Sequence, residues 1–300
     1  MEFNFIELNA RYLNVLTDFG FHKIFGEEEG KALLIHFLNL VIREESPIKD
    51  IKYLIPEQWG NYEKERKAVF DIYCETEKEE SFIVEMQKAK QEYFRDRSLF
   101  YSAVSIRKQA KKGKWNYRLK RVYVAAILDF VIFEECKEDE KYVVEHVQLK
   151  RERTNTSFSN KLKFTFVELP KFGKTEEELE TDFDRWLYLL KNLPKLQERP
   201  KTIKGEIFDK LFELAEINRL KEEEMETYKK SVLEYYDVQS AMKCARKEGI
   251  EEGIEKGIEE EKISIIQKCL QKNMPIEDIV FITGFSHEQI NRYKTILRNS

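Results

Sequence analysis

AVFDIYCETEKEESFIVEMQ, residues 68–87, is the stretch on which the fold turns. AVFDIYC (68–74) and FIVEMQ (82–87) are rich in strand formers, and the polar ETEKEES between them supplies a connection. The segment therefore reads as a β-hairpin, although it has no Asn-Gly or Asp-Gly turn. Alternation sends Val69, Asp71 and Tyr73 to one face and Phe70, Ile72 and Cys74 to the other, while Ile83, Glu85 and Gln87 oppose Phe82, Val84 and Met86. Centred on Lys78, paired residue numbers sum to 156, which sets Asp71 across from Glu85 and Val69 across from Gln87. The two carboxylates then face each other with Cβ atoms ~5 Å apart.

Like charges at that spacing, among residues too apolar for full solvent screening, destabilise a sheet unless something positive sits between them. A divalent cation is the economical solution, and hard oxygen ligands favour Mg²⁺ or Mn²⁺ over zinc. Such a site suits metal-assisted phosphodiester hydrolysis. The competing account is a solvent-facing hairpin whose acids pair with lysines, and the D-x13-E-x-Q spacing alone does not decide between them.

Working outward, 93–112 reads as a helix with Leu99, Ala103, Val104 and Ile106 on one side, basic residues largely on another, and Gly113 as its stop. Between Lys88 and Arg121 there are twelve basic residues against only Glu92 and Asp96. This basic stretch would hold a phosphodiester backbone, with Lys88, Lys90, Arg97, Arg107, Lys108, Lys111 and Lys112 as the candidate nucleic-acid contacts. RVYVAAILDFVIF (121–133) reads as a central strand buried on both faces, 141–150 and 161–169 as two further strands, and 176–193 as a helix ended before Pro194. Upstream, apolar residues at three- and four-residue spacing predict helix over 10–43, broken near Gly26 to Gly30.

The expected organisation is a core over 1–200, an acidic helical linker over 201–262 and a small helical element over 263–300. Residues 205–261 carry 17 acidic side chains and no proline. Within them GIEE, GIEK and GIEE (249–260) repeat every four residues and carry Ile250, Ile254 and Ile258 along a drifting helical stripe. Glycine at every fourth position weakens a helix by roughly 1 kcal/mol each unless close packing compensates. A helix–helix contact, making a homo-oligomer through the C-terminal helices, and a weakly helical linker are both open. The last segment, MPIEDIVFITGFSHEQI, has a helix-turn-helix-like pattern with Gly284 at the turn and Ser286 as N-cap. It reads as a helical packing element, with DNA reading by its last helix as the alternative.

Composition excludes other classes. The chain has 300 residues, 42% apolar and 36% charged, as suits a well-solvated globular protein. Neither a secretory signal nor an apolar run long enough to span a membrane is read, so a cytoplasmic location is expected. Four scattered cysteines and four dispersed histidines argue against a zinc cluster. The net charge of −4 argues against coating nucleic acid by overall charge.

The order of TDFGFHKIFG (17–26), FDIYCETEKEESFIVEMQ (70–87), RDRSLFYSAVSIRKQ (95–109), VYVAAILDF (122–130), VELPKF (167–172) and DRWLYLLKNL (184–193), followed by the Gly-Ile-Glu tail, resembles the recombination-promoting nuclease and transposase family of the PD-(D/E)XK superfamily. The resemblance implies an α/β fold, a restriction-endonuclease-like mixed β-sheet flanked by helices with an all-helical C-terminal extension. It implies a Mg²⁺- or Mn²⁺-dependent DNA endonuclease acting in recombination or transposition. Asp71, Glu85 and Gln87 fall on the family's catalytic positions, and Asp71 and Glu85 on its metal-binding acids. Asp18, at an early acidic position, would complete the metal shell or serve as a first-turn helix acid. Gln87 stands where the wider superfamily has lysine, and His22 where such sequences usually have lysine. Lys88 should face away from the site if the strand continues, leaving Arg97 or Arg107 to supply the missing charge. Trp186 belongs to the core. The alternatives are a catalytically degenerate DNA-binding or assembly protein retaining the fold, and an RNA nuclease.

Overall fold

The computed structural model describes residues 10–42, 47–54, 70–111, 113–135 and 137–298. Its sheet has six strands: β1 (Ile51–Leu54), β2 (Ile72–Thr76), β3 (Ser81–Gln87), β4 (Val122–Leu128), β5 (Val144–Lys150) and β6 (Ser157–Glu168), in the order β1-β2-β3-β4-β6-β5. β1, β2 and β3 are antiparallel neighbours, β3, β4 and β6 run parallel, and β5 closes the far edge antiparallel to β6. The hairpin has the register read from the sequence, with Ile72 opposite Val84 and Glu75 opposite Ser81. Its turn holds Glu79 at φ +59° while the Glu79 N–H donates to the Thr76 carbonyl. Val69, expected opposite Gln87, lies outside the described residues, as do Lys112 and Cys136.

Strand parity divides the core into two layers. Ile72, Cys74, Phe82, Val84, Met86, Tyr123, Ala125 and Ile127 share a cluster with α2 (Lys31–Ile42), α4 (Asp182–Asn192) and α5 (Glu206–Ala215). Trp186 lies in it, its indole N–H donating to His36 at 2.9 Å. On the opposite face Tyr73, Ile83, Val122, Val124, Ala126 and Leu128 pack with Phe94 of α3 (Phe94–Lys108), the crossover between the parallel strands β3 and β4. β4 is buried at all seven positions, as a strand covered on both faces must be. The mixed α/β sheet with flanking helices and a helical C-terminal region is therefore the fold adopted.

Three sequence expectations need correction. Residues 10–17 are not helical: Tyr12 makes an isolated bridge to Glu216, and Asn14–Thr17 form a turn. The Leu13 N–H donates to the Ala215 carbonyl at 2.8 Å, and the Ile217 N–H to the Arg11 carbonyl at 3.0 Å. Here the apolar density reflects burial on all sides, and regular helix begins only at α1 (Asp18–Phe21). The chain breaks from helix at extended Glu27, and then passes so close to Ile24 that a Cβ on Gly30 would lie 2.0 Å from its carbonyl oxygen. Secondly, α3 buries Phe94, Ser98, Ser102 and Ser105, whereas Leu99 is 51% exposed. Its serines are small enough for close approach to the sheet. The Ser98 and Ser102 hydroxyls donate to the carbonyls of Phe94 and Leu99, so they enter the interface already satisfied. The helix also ends four residues before Lys112. Thirdly, the short edge strand β1 has no counterpart in the sequence reading.

Compactness divides the chain into 1–239 and 240–300, so α5 and the first turns of α6 (Glu222–Gln271) belong with the sheet. α6 stays helical through Gly249, Gly253 and Gly257, and among the described residues nothing but the helix's own backbone and the glycines' chain neighbours lies within 4 Å of where their Cβ atoms would be. Ile250, Ile254 and Ile258 are exposed. In the second unit, Ile266 and Cys269 cluster with Ile279 of α7 (Ile276–Thr283) and Ile290 of α8 (His287–Arg298). Gly284 takes φ +71° between α7 and α8. Ser286 and Gln289 form a reciprocal cap, each side chain accepting the other's backbone N–H. Ile282, expected among these apolar residues, is exposed. Among the described residues no helix is long and apolar enough to cross a membrane.

Candidate active site

The hairpin brings Asp71 and Glu85 together on the α3 face. Each carboxylate is held by the other strand's backbone: the Met86 N–H donates to Asp71 Oδ2 at 2.7 Å, and the Asp71 N–H to Glu85 Oε1 at 3.4 Å. Glu85 is only 3% exposed, whereas Asp71, one residue before β2, opens to solvent on one side and is crowded on the others. Burial is the largest cause raising the Glu85 pKa, and the Asp71 charge raises it further. Burial also raises Asp71, with the Asp18 charge adding to it and Arg97 and Lys88 opposing it. The Gln87 amide donates to Glu85 Oε2 at 3.3 Å.

Two cations reach this pair. Arg97, one turn into α3, brings Nη2 to 3.8 Å from Glu85 Oε2. Its Nε and Nη2 are buried without a hydrogen-bond partner. A buried guanidinium with two unmet donors beside a carboxylate pair is costly unless an anion or water meets it. Lys88 does not follow strand alternation, because β3 ends at Gln87 and the chain bends there. Its ammonium instead lies 3.2 Å from both Asp18 oxygens and near enough to Asp71 to lower that pKa. Arg107 sits ten residues beyond Arg97 on α3, ~15 Å along the axis.

Asp18 is in the first turn of α1, after the N-cap Thr17, whose hydroxyl accepts the Gly20 N–H. Its carboxylate engages Lys88, and among the described residues no three His, Cys, Asp or Glu side chains gather as a metal cluster. Of the other candidate nucleic-acid contacts, Lys90 pairs with Glu134, Lys108 lies over the Tyr73 ring and Lys111 is exposed.

The sequence reading missed Asp129, Tyr235 and Gln239. The Asp129 N–H donates to the Gln87 carbonyl at 2.9 Å, at the C-terminal ends of β3 and β4. The Tyr235 hydroxyl and Gln239 amide of α6 donate to Asp129 Oδ2, and the same amide donates to the Lys88 carbonyl at 2.9 Å. α6 thereby fastens the strand ends carrying Gln87 and Lys88. These contacts join residues more than a hundred positions apart, which no local pattern encodes. Tyr235→Phe keeps the ring and deletes the donor, so it should destabilise the protein by about 1–2 kcal/mol. The urea midpoint measures this, and an unchanged midpoint would deny the clasp a structural role.

A family model described as PD-(D/E)XK nuclease family transposase matches residues 15–245, a span that takes in every element just described around the carboxylate pair. No curated protein sequence and no solved structure matches the chain.

Proposed function

This chain belongs to the PD-(D/E)XK nuclease family transposases, and from that premise we propose that it is a Mg²⁺- or Mn²⁺-dependent endonuclease hydrolysing phosphodiester bonds of DNA in recombination or transposition. The observation that carries the reading is the facing pair Asp71 and Glu85, both with raised pKa values, beside the unmet buried donors of Arg97. A purely structural hairpin would gain only the two backbone N–H bonds from holding these carboxyls together.

The donor set fits a hard divalent cation. It offers two carboxylates at one site, and Mg²⁺ commonly takes only one or two protein carboxylates, completing its shell with water and substrate phosphate. When bound, the metal supplies charge stabilisation at the scissile phosphate and a lowered pKa for the attacking water. Arg97 would direct Nε and Nη2 to the non-bridging phosphate oxygens, where charge grows during the reaction. Gln87 spends an amide hydrogen on Glu85, and its amide oxygen is left to accept from a water and orient it. The positive charge that the superfamily lysine would bring comes from Arg97, with Lys88 close by.

The test is cleavage of supercoiled plasmid, in parallel with labelled DNA and RNA oligomers. Nicked or linear plasmid should form with Mg²⁺ or Mn²⁺ and not with chelator. A folded protein that cuts neither polymer would leave the degenerate DNA-binding alternative, and cutting confined to RNA would redirect the substrate.

A further inference from the structure

At the turn end of the β2–β3 hairpin lies a cleft of about 610 Å³, within the usual range of ligand sites. Tyr73, Ser81 and Ser105 form its floor, with Lys108 Nζ 4.1 Å from the centre of the Tyr73 ring. Burial lowers the Lys108 pKa to about 8, so this ammonium already pays a desolvation penalty that an approaching anion would relieve. Trp115 lines the cleft, and its ring lies 4.9 Å from that of Tyr117 at 36°, with Tyr117 78% exposed.

That display is built in. Tyr117 sits at φ +57°, a left-handed conformation disfavoured for a bulky residue, and the Asn116 side chain fixes it by accepting the Arg118 N–H. The cleft's two acids, Glu75 and Glu79, offset only part of the positive charge of Lys108, Lys111, Arg118 and Lys120. Glu79 pairs with Lys120, while among the described residues Lys111, Lys114 and Arg118 have no ion-pair partner.

We propose that this cleft is a second nucleic-acid subsite that takes an unpaired DNA strand, its bases stacking on Trp115 and Tyr117 and its phosphates meeting Lys111, Lys114 and Arg118. An exposed Tyr117 and a half-buried Trp115 beside unpaired cations suit single strands, because bases in a duplex already stack on one another and do not offer their faces. The subsite shares the α3 face of the sheet with the carboxylate pair. Glu75 and Ser81 each lie four residues along their strands from Asp71 and Glu85, ~13 Å away. At ~3.4 Å per stacked nucleotide, one strand would span the two in about four nucleotides. The scissile bond would then lie close to an unpaired stretch, so a flap, gap or melted junction is the preferred substrate over uninterrupted duplex.

The proposal rests on the nuclease reading for its ligand class, so binding is measured on the full chain in chelator, where cleavage cannot contribute. A labelled mixed-sequence oligonucleotide is compared with its duplex by anisotropy. The unpaired strand should bind tighter, and Trp115→Ala should weaken it about tenfold or more while leaving duplex affinity unchanged. Trp115→Phe should retain most of the affinity. Arg118→Ala should reduce the slope of log affinity against log salt by about 0.7. Equal affinity for strand and duplex, or strand binding within twofold of wild type in Trp115→Ala, would overturn the subsite. Strand binding that depends on Trp115 in a protein unable to cut with metal supports the subsite and sinks the nuclease reading alone.

Discussion

Asp71→Asn should slow metal-dependent plasmid cleavage by about a hundred- to a thousand-fold, the scale on which one charge-stabilising group at a reacting centre acts. The substitution is nearly isosteric, and an asparagine oxygen can still accept the Met86 N–H at the position Asp71 Oδ2 occupies. The hairpin should therefore survive, and the loss reports on charge. Removing that charge also removes a cause that raises Glu85, so Glu85 should ionise more readily in the variant. If cleavage needed only one ionised carboxylate, Asp71→Asn would be mild; a large loss means that both carboxylates are required. Rates should be taken at several Mg²⁺ concentrations, since part of the defect will be weaker metal binding that high metal restores. Wild-type rates in the variant at every concentration would rule out a metal held between Asp71 and Glu85.

The parts of this site legible in the sequence are those governed by period two. Asp71, Tyr73 and Glu75 alternate against Ile72 and Cys74, and Glu85 against Val84 and Met86. A hairpin centred on Lys78 fixes the register without further information, and the structure has that register. β4 is legible for the same reason, as an unbroken apolar run admits no exposed face. Legibility ends where a side chain's direction depends on a chain bend or a distant partner. Lys88 looks excluded from the site by alternation, yet the strand stops one residue earlier and the lysine turns toward Asp18. Arg97 and Arg107 look equivalent on a basic helix, and only the packing of Phe94, Ser98 and Ser102 against the sheet decides which end meets Glu85. That packing face is poorly visible to hydropathy because three of its four buried residues are serine. Likewise, the non-helical segment 10–17 carries helical spacing only because almost every residue in it is buried.

Glu85→Gln is expected to stabilise the metal-free protein and abolish its stabilisation by Mn²⁺. Burial and the neighbouring Asp71 charge raise the Glu85 carboxyl above its ordinary 4.5. As pH rises above that ordinary value toward the raised one, the folded state binds more protons than the unfolded state, so stability falls with rising pH. The favourable contribution is complete below the ordinary carboxylate pKa and is lost as the folded group ionises. Glutamine has no proton to lose, so the variant's advantage over wild type should widen between about pH 5 and about pH 8. Mn²⁺ acts on the wild type in the opposite sense. Bound only by the folded state, at a hundred times its dissociation constant it would add about 2.7 kcal/mol. For a chain of this size that corresponds to a melting temperature higher by about 4 °C. Metal and protons compete for the same oxygens, so the wild-type shift should grow with pH and binding should release a proton. Thermal scans of both proteins across pH, with and without Mn²⁺, read all three effects. An equal Mn²⁺ shift in Glu85→Gln, or a variant advantage that does not widen with pH, would mean that the cation is held elsewhere or that Glu85 is not the buried, proton-binding partner of Asp71.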